Sequence, residues 1–179
     1  TEMARRVAKA LGMPFVKLDG PGLTTREKLF DLVDAQLGVQ QQPRQVGEDA
    51  GQPIFSYPAF VVFIDEIHLV TQKVQESLLT MLETRDRTVR LSNRVASVPH
   101  ATFIFATTQD SKLDKAFKSR CKEIHLRSYS IAEVAQMVMN YVRDSGVDPG
   151  SWEPEVFPKI ARLGRLIPRR AFEVAKELM

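Results

Sequence analysis

The chain has 179 residues, 44% hydrophobic and 26% charged, and its 25 Lys and Arg against 22 Asp and Glu give a formal net charge of +3. This composition excludes a wholly disordered protein, which would have fewer apolar residues and a larger charge imbalance. No run of about 18 apolar residues occurs, so no membrane span is expected. The first residues lack the apolar stretch of a signal peptide, and a single cysteine, Cys121, excludes an internal disulfide. We therefore expect a cytoplasmic protein without membrane contact.

Short apolar runs predict buried strands at 15–18, 60–64, 102–106 and 123–126. The second and third runs are apolar throughout, which is typical of central strands in a parallel sheet covered by helices on both faces. The segment 40–58 is polar and contains several Pro and Gly residues, so we expect it to be an irregular loop.

Helical patterns alternate with these strands. One covers residues 1–11, a second covers 24–37 with capping-box spacing at Thr24, and a third covers 72–83. Residues 88–98 have the pattern of a β-hairpin. The alternation predicts a three-layer α/β fold.

The chain becomes entirely helical after Leu126. The pattern predicts one helix from Ser130 to about Asp144, a second over 153–163, and a third with Pro168 in its first turn. We therefore predict two domains, an α/β core over residues 1–127 and a small helical domain over residues 128–179.

Two adjacent carboxylates, Asp65 and Glu66, follow the apolar run 60–64. Ligands of open α/β sheets bind beyond the carboxyl ends of the strands, and neighbouring like charges are costly there unless a cation or a reaction uses them. Asp65 is suited to hold Mg²⁺ and Glu66 to orient or deprotonate water. The alternative is an acidic strand end that leads into a solvated turn.

The run from Phe60 to His68, FVVFIDEIH, resembles the Walker B motif of AAA+ ATPases. The resemblance implies a parallel-sheet P-loop NTPase core with a helical lid domain, an ATPase activity, and ATP and Mg²⁺ as cofactors. Residues 1–8 resemble the end of the phosphate-binding loop and the helix that follows it, so Thr1 is expected to be a second Mg²⁺ ligand. The sequence has no Gly-Lys pair, and we expect the loop's glycines and lysine to lie upstream of Thr1. These residues alone are then expected to bind ATP poorly.

Three further residues match motifs of that family. Thr108 resembles the sensor 1 residue that contacts the attacking water or the γ-phosphate, Arg120 resembles the arginine finger, and Arg169 resembles the sensor 2 arginine that contacts the phosphates. The resemblance of Arg120 implies a ring, expected to be a hexamer, in which Arg120 acts in trans. The alternatives are a strand-ending threonine for Thr108, an exposed basic helix end for Arg120, and a solvated side chain for Arg169.

The hairpin from Arg87 to Val98 distinguishes branches of the family. An insertion at this position is similar to RuvB-like Holliday-junction branch-migration motors, whereas residues 65–68 and 119–121 resemble clamp-loader subunits. Four arginines, Arg85, Arg87, Arg90 and Arg94, are able to pair with DNA phosphates or with a partner protein. A solvated basic ribbon is an equal alternative.

The resemblance implies an ATPase that couples hydrolysis to remodelling or translocation of DNA, as a helicase or loader. An ATPase that remodels a protein partner and a non-hydrolysing scaffold are the alternatives. The histidines His68, His100 and His125 are not spaced as a metal site, and we interpret them as structural.

Overall fold

The computed structural model of the chain describes residues 1–38, 42–83 and 87–179. The described residues divide into two compact units, Thr1–Glu123 and Ile124–Met179, each with its own hydrophobic core. The helices of the first unit are α1 (Glu2–Leu11), α2 (Arg26–Leu37), α3 (Gln72–Leu82) and α4 (Lys115–Ser119). Its strands are β1 (Phe15–Asp19), β2 (Arg44–Asp49), β3 (Gln52–Ser56), β4 (Phe60–Asp65), β5 (Thr88–Arg90), β6 (Val95–Ser97) and β7 (Ala101–Phe105).

A parallel sheet with the order β1-β4-β7 forms the centre of the first unit. Its central strand β4 has five of six residues buried, because it is covered on both faces and therefore carries no polar alternation. Helices α1 and α2 pack against this sheet. The predicted α/β core is confirmed, as are the strands predicted at 15–18, 60–64 and 102–106.

A second sheet, with the order β2-β3-β6-β5, corrects the prediction of a loop over residues 40–58. Strands β2 and β3 form an antiparallel hairpin whose turn residues Ala50 and Gly51 have φ values of 49° and 77°. The hairpin predicted over residues 88–98 is confirmed, with β5 and β6 as its antiparallel strands. Strand β3 pairs in parallel with β6 of this hairpin, which lies much later in the chain, so the local sequence of residues 40–58 does not reveal this pairing. Residues 40 and 41 of the predicted loop lie outside the described residues.

The strand predicted at 123–126 is wrong. These residues have no regular secondary structure, and Ile124 and Leu126 are 67% and 77% exposed. A strand needs a hydrogen-bonded neighbour, and in the described part of the chain β7 pairs only with β4. The segment instead connects the two units.

The helix boundaries follow local capping rules, with one correction. Helix α1 ends at Gly12 in the left-handed conformation, and α2 ends at Gly38, as predicted. The capping box predicted at Thr24 is wrong, because Thr25 is the N-cap and its hydroxyl accepts the N–H of Lys28. A lysine at this third helical position cannot return a hydrogen bond to the cap.

The second unit is helical, with α5 (Ile131–Asp144), α6 (Val156–Leu163) and α7 (Pro168–Leu178). The predicted capping box at Ser130 is present, with Glu133 as its partner. Helix α6 begins at Val156, three residues later than predicted. The core includes Val138, Phe157 and Ala171. Among all described residues, no helix is long and apolar enough to cross a membrane.

Candidate active site

Three of the predicted site residues, Asp65, Glu66 and Thr108, lie at the carboxyl edge of the parallel sheet. Strand β4 ends at Asp65 and is followed by Glu66, β1 is followed by Gly20, and β7 is followed after Ala106 by Thr107 and Thr108. Because the strands are parallel and adjacent, these ends lie at the same edge.

Asp65 is half-buried, and its carboxylate makes no hydrogen bond or ion pair with any residue of the described ranges. A partly desolvated carboxylate without a protein partner is costly, and a bound cation would offset that cost. No cluster of three or more His, Cys, Asp or Glu side chains suited to a metal occurs in the described ranges. Asp65 therefore fits a cation such as Mg²⁺, which commonly takes one or two protein ligands and completes its shell with phosphates and water.

The backbone of Glu66 is in the left-handed region, with φ 50° and ψ 51°. This conformation costs about 1–2 kcal/mol for a residue with a Cβ atom, so the surrounding structure must hold it. The next N–H, that of Ile67, donates to Ala106 O at 3.0 Å. A Cβ atom on Gly20 would lie 2.3 Å from Glu66 O, so only glycine fits against this turn.

The Glu66 carboxylate contacts Thr108. The Thr108 N–H donates to Glu66 Oε2 at 3.2 Å, and the Thr108 hydroxyl lies 3.1 Å from Oε2 and 3.2 Å from Oε1. The structure thus brings together two residues that the sequence analysis assigned to one reaction. Thr108 does not act as a purely local strand-ending residue, because its side chain bonds to another loop.

His68 and Thr107 also belong to this cluster, although the sequence analysis assigned no site role to either. The His68 side chain is 2% exposed, and its Nδ1 lies 3.2 Å from Glu66 Oε2. The same nitrogen lies 2.9 Å from Thr107 Oγ1. The only hint of this role in the sequence is a histidine two positions after Glu66. The turn after β4 is what brings its side chain back toward the Glu66 carboxylate.

Thr1 is exposed at the N-cap of α1, and its hydroxyl makes no capping hydrogen bond. That hydroxyl is free of helix capping, so it is compatible with a role as a ligand.

Arg120 lies at the C-cap of α4, with its side chain 35% exposed. Its guanidinium donates to Ala116 O at 3.0 Å and to a carboxylate oxygen of Glu83 at 3.3 Å. These bonds hold the arginine at the end of a short helix within the first unit.

Arg169 belongs to the second unit and is exposed in the first turn of α7. Before this helix, Arg165 and Leu166 both have positive φ values, 54° and 58°. Two successive left-handed residues with side chains are unusual and fix the direction in which α7 begins.

The hairpin arginines take part in contacts within the chain. Arg94 donates to Asp34 at 2.6 Å, Asp34 also accepts the Tyr57 hydroxyl at 2.8 Å, and the Arg94 side chain is only 20% exposed. Burial raises the pKa of Tyr57, as does its bond to Asp34. Burial acts to lower the pKa of Arg94, but the hydrogen bond to Asp34 and the charges of Tyr57, Asp34 and Asp31 together outweigh it, so the pKa is raised. Arg94 is thus part of a half-buried polar network and not of a solvated ribbon.

Arg87 and Arg90 differ in exposure and partners. Arg87 donates to three backbone carbonyls, those of Glu83, Pro99 and Ala101, and so closes the base of the hairpin. Arg90 pairs with Asp49 and remains 55% exposed. Arg85 lies outside the described residues. Of the hairpin arginines that the structure describes, Arg90 is the one whose guanidinium is mostly exposed.

A shallow surface cleft adjoins Arg90. It is lined by side chains of α3, β5 and the start of α2, among them Arg26, Lys73, Glu76 and Thr80. Arg26 donates to the carbonyl of Arg90 at 3.2 Å, which holds these two arginines side by side. The cleft therefore has a positive lining suited to an anionic surface.

The family model of the ATPase family associated with various cellular activities (AAA) matches residues 1–129 of the chain. The chain is also similar to Holliday junction branch migration complex subunit RuvB of Lactobacillus helveticus, with 27% identity over 185 residues that cover 99% of this chain and 47% of the relative. The same subunit of Lactobacillus gasseri is 31% identical over 128 residues, covering 68% of this chain and 37% of the relative. The chain spans about half the length of the relatives that it matches from end to end.

The solved structure of the Thermotoga maritima RuvB Holliday junction branch migration motor superposes with a TM-score of 0.69 at 22% identity, covering 97% of this chain and 48% of that chain. This likeness is one of fold. It confirms the predicted architecture, an α/β P-loop NTPase core followed by helices.

Proposed function

The chain belongs to the AAA family of ATPases, and from this premise we propose that it hydrolyses ATP beside Asp65 and Glu66 and uses the energy to move or remodel DNA. The observation that carries the proposal is the contact between Glu66 and Thr108 next to the Asp65 carboxylate, which has no partner in the described ranges. A general base, a polar residue that orients water, and a cation ligand are the groups that phosphoryl transfer to water requires.

Each residue has a distinct role in this proposal. Asp65 and the Thr1 hydroxyl would hold Mg²⁺, which would supply charge neutralisation to the nucleotide phosphates. Glu66 accepts a proton from the attacking water, and Thr108 orients Glu66 and that water. The phosphate-binding glycines and lysine have no counterpart among these 179 residues, so binding by this chain alone is expected to be weak.

Two arginines complete the proposed reaction. Arg120 contacts the γ-phosphate bound by a neighbouring subunit, which requires it to leave Glu83, and Arg169 contacts the phosphates from the helical unit. The proposal therefore includes a ring-shaped homo-oligomer, with six subunits as the expected number. Breaking the exposed ion pair between Arg120 and Glu83 costs little free energy, because such a pair contributes about 0–1 kcal/mol.

We assign the proposed DNA contact to the cleft beside Arg90 instead of to the whole hairpin. Arg94 is only 20% exposed and Arg87 closes the base of the hairpin, whereas Arg90, although paired with Asp49, stays 55% exposed and lines one surface with Arg26 and Lys73. The similarity to RuvB subunits, which are named for Holliday junction branch migration, supports DNA as the substrate. A cytoplasmic location is part of the same proposal.

The hydrolysis proposal is tested by Glu66→Gln in the natural full-length chain that contains these residues. The variant is expected to bind nucleotide normally and to have a hydrolysis rate about 10²–10⁴-fold lower, because glutamine cannot accept a proton. The control is Glu48→Gln, an exposed carboxylate of β2, which is expected to keep the wild-type rate. Equal turnover in the two variants would exclude Glu66 as the base.

The interfacial role of Arg120 is tested by mixing Arg120→Ala subunits with wild type. Each variant subunit impairs its neighbour's site, so activity should fall more steeply than the wild-type fraction. A strictly proportional loss would contradict a shared site.

The DNA proposal is tested by the double charge reversal Lys73→Glu and Arg90→Glu. We expect weaker DNA binding and a shallower dependence of affinity on salt, with the slope reduced by about 0.9 for each phosphate that the protein no longer neutralises. Lys9→Glu with Lys176→Glu, at exposed helix positions, is the control with the same change in net charge. If the double variant binds DNA like the control while its ATPase is unchanged, the cleft is not the DNA-binding surface, and a protein partner becomes the better substrate.

ATP binding without hydrolysis in the wild type would favour the scaffold alternative.

A further inference from the structure

We propose that His68 is a positioning residue for Glu66: through Nδ1 it holds Oε2 of the carboxylate and leaves Oε1 to take the proton from water. The inference rests on the proposed function, because it concerns how Glu66 is held for hydrolysis. It assigns a role to a buried histidine to which the proposed function gives none.

The location of His68 is the first argument. Its side chain is 2% exposed, and Nδ1 faces two oxygens, Glu66 Oε2 at 3.2 Å and Thr107 Oγ1 at 2.9 Å. A buried imidazole nitrogen needs a polar partner, and this one has two. One of these oxygens belongs to the carboxylate proposed as the base, and the other belongs to the residue before Thr108, which contacts the same carboxylate.

The position of the ring proton follows from these neighbours. A bare nitrogen lone pair 3.2 Å from a carboxylate oxygen would repel it, whereas a hydrogen on Nδ1 attracts both oxygens. Thr107 Oγ1 already accepts the N–H of Gln109 at 3.0 Å and has a second lone pair for the imidazole N–H. We therefore assign the proton to Nδ1.

The two carboxylate oxygens of Glu66 are then inequivalent. Within the part of the chain that the structure describes, Oε2 accepts hydrogen bonds from Thr108 N at 3.2 Å and from the Thr108 hydroxyl at 3.1 Å, and His68 Nδ1 lies within ion-pair distance of it, at 3.2 Å. Oε1 has only the Thr108 hydroxyl, at 3.2 Å, and that hydroxyl has one proton for both oxygens. Oε2 is therefore the anchored atom and Oε1 the one available to a water.

This anchoring has a kinetic consequence. A general base is effective when its accepting oxygen is held within hydrogen-bond reach of the proton, and loss of that orientation lowers the rate of the chemical step. Nucleotide binding depends on other groups. Removal of the His68 imidazole should therefore lower kcat and leave nucleotide affinity unchanged.

The test uses three substitutions of His68 in the natural full-length chain. In His68→Asn, the side-chain N–H₂ occupies the place of Nδ1 and can still donate. In His68→Gln, the amide extends beyond the place of Nδ1. In His68→Ala, the donor is absent. We expect kcat to fall about 10- to 100-fold in the Ala and Gln variants with unchanged nucleotide affinity, and Asn to retain the most turnover. His100→Ala, at an exposed position, is the control.

A second variant covers the case in which His68→Ala does not fold. Thr107→Val removes the oxygen that fixes the imidazole while preserving shape, so it should lower kcat and should not be additive with His68→Gln. Long-range ¹H–¹⁵N correlation spectra of the wild type should show the proton of His68 on Nδ1. A proton on Nε2, or wild-type kcat in both the Thr107 and the His68 variants, would overturn the inference.

The Glu66→Gln variant separates this failure from failure of the proposed function. If Glu66→Gln is inactive while the His68 and Thr107 variants turn over normally, only the positioning role is wrong. If Glu66→Gln is fully active, the proposed hydrolytic role of Glu66 is wrong as well.

Discussion

Thr108 holds the Glu66 carboxylate with both its backbone N–H and its hydroxyl, across a separation of 42 residues in the chain. The backbone bond fixes the distance between the ends of β4 and β7, and the hydroxyl adds a bond that a side-chain substitution can remove by itself. The two contributions can therefore be separated experimentally.

Replacement of Thr108 by valine should lower kcat for ATP hydrolysis by about 10- to 100-fold, because the shape is kept while the hydroxyl is removed. Steady-state kinetics and a nucleotide-binding titration measure the effect. Thr108→Ser keeps the hydroxyl and serves as the control. An increase in KM with kcat unchanged would mean that the hydroxyl binds nucleotide and does not orient the base.

Gly20→Ala should lower the free energy of unfolding by about 1–3 kcal/mol and also reduce hydrolysis. The new Cβ would lie 2.3 Å from Glu66 O, so the strained turn that carries Glu66 must shift. Gly22→Ala is the matched control in the same segment, because a Cβ there has no atom within 4 Å. Its stability should change by less than about 1 kcal/mol. Equal urea midpoints for the two variants would contradict this packing.

Arg94→Met should lower the free energy of unfolding of the first unit by about 2–4 kcal/mol, because it leaves the Asp34 carboxylate partly buried without its cation. The Nε of Arg94 is buried and has no hydrogen-bond partner among residues 1–38, 42–83 and 87–179, so part of the cost of burying this arginine is already present in the wild type. Arg90→Met, at a more exposed ion pair, should change stability by no more than about 1 kcal/mol. Denaturant unfolding measures both. A larger effect for Arg90 would reverse the assigned roles.

Glu133 should make the stability of the helical unit fall in acid. Its side-chain bond with Arg127 and its bonds with Ser130 lower the pKa of the Glu133 carboxyl from its ordinary 4.5 to about 2. The stabilisation is fully present above about pH 4.5 and is lost as the pH falls through about 2.

The stability difference between wild type and Glu133→Gln should therefore be constant from pH 7 to about 4.5 and should shrink toward pH 2. Trp152, the one tryptophan of these 179 residues, stacks on Phe157 in this unit and reports its unfolding by fluorescence. A difference that is independent of pH down to 2 would show that the carboxylate charge is not involved.

Much of the fold was predictable because it depends on local patterns. The uninterrupted apolar run of β4 indicates a strand covered on both faces, and the Ser130 capping box marks the start of α5. Strands β2 and β3 were not predicted, since their stability comes from pairing with β6, far along the chain. The strand predicted at 123–126 failed for the same reason, as strand formation requires a neighbour that the described chain does not give it.

The candidate site was also predictable from the sequence only in part. The sequence by itself determined which chemical groups are present, because the order of motifs, Asp65 and Glu66 after one strand and Thr108 after another, is a one-dimensional property. Only the tertiary structure decided that Thr108 and His68 share one carboxylate oxygen, that Asp65 has no partner among the described residues, and that Arg94 is a structural residue. Hydrogen-bond partners depend on distances of a few tenths of an ångström between segments far apart in the chain, and the packing of strands and turns sets those distances.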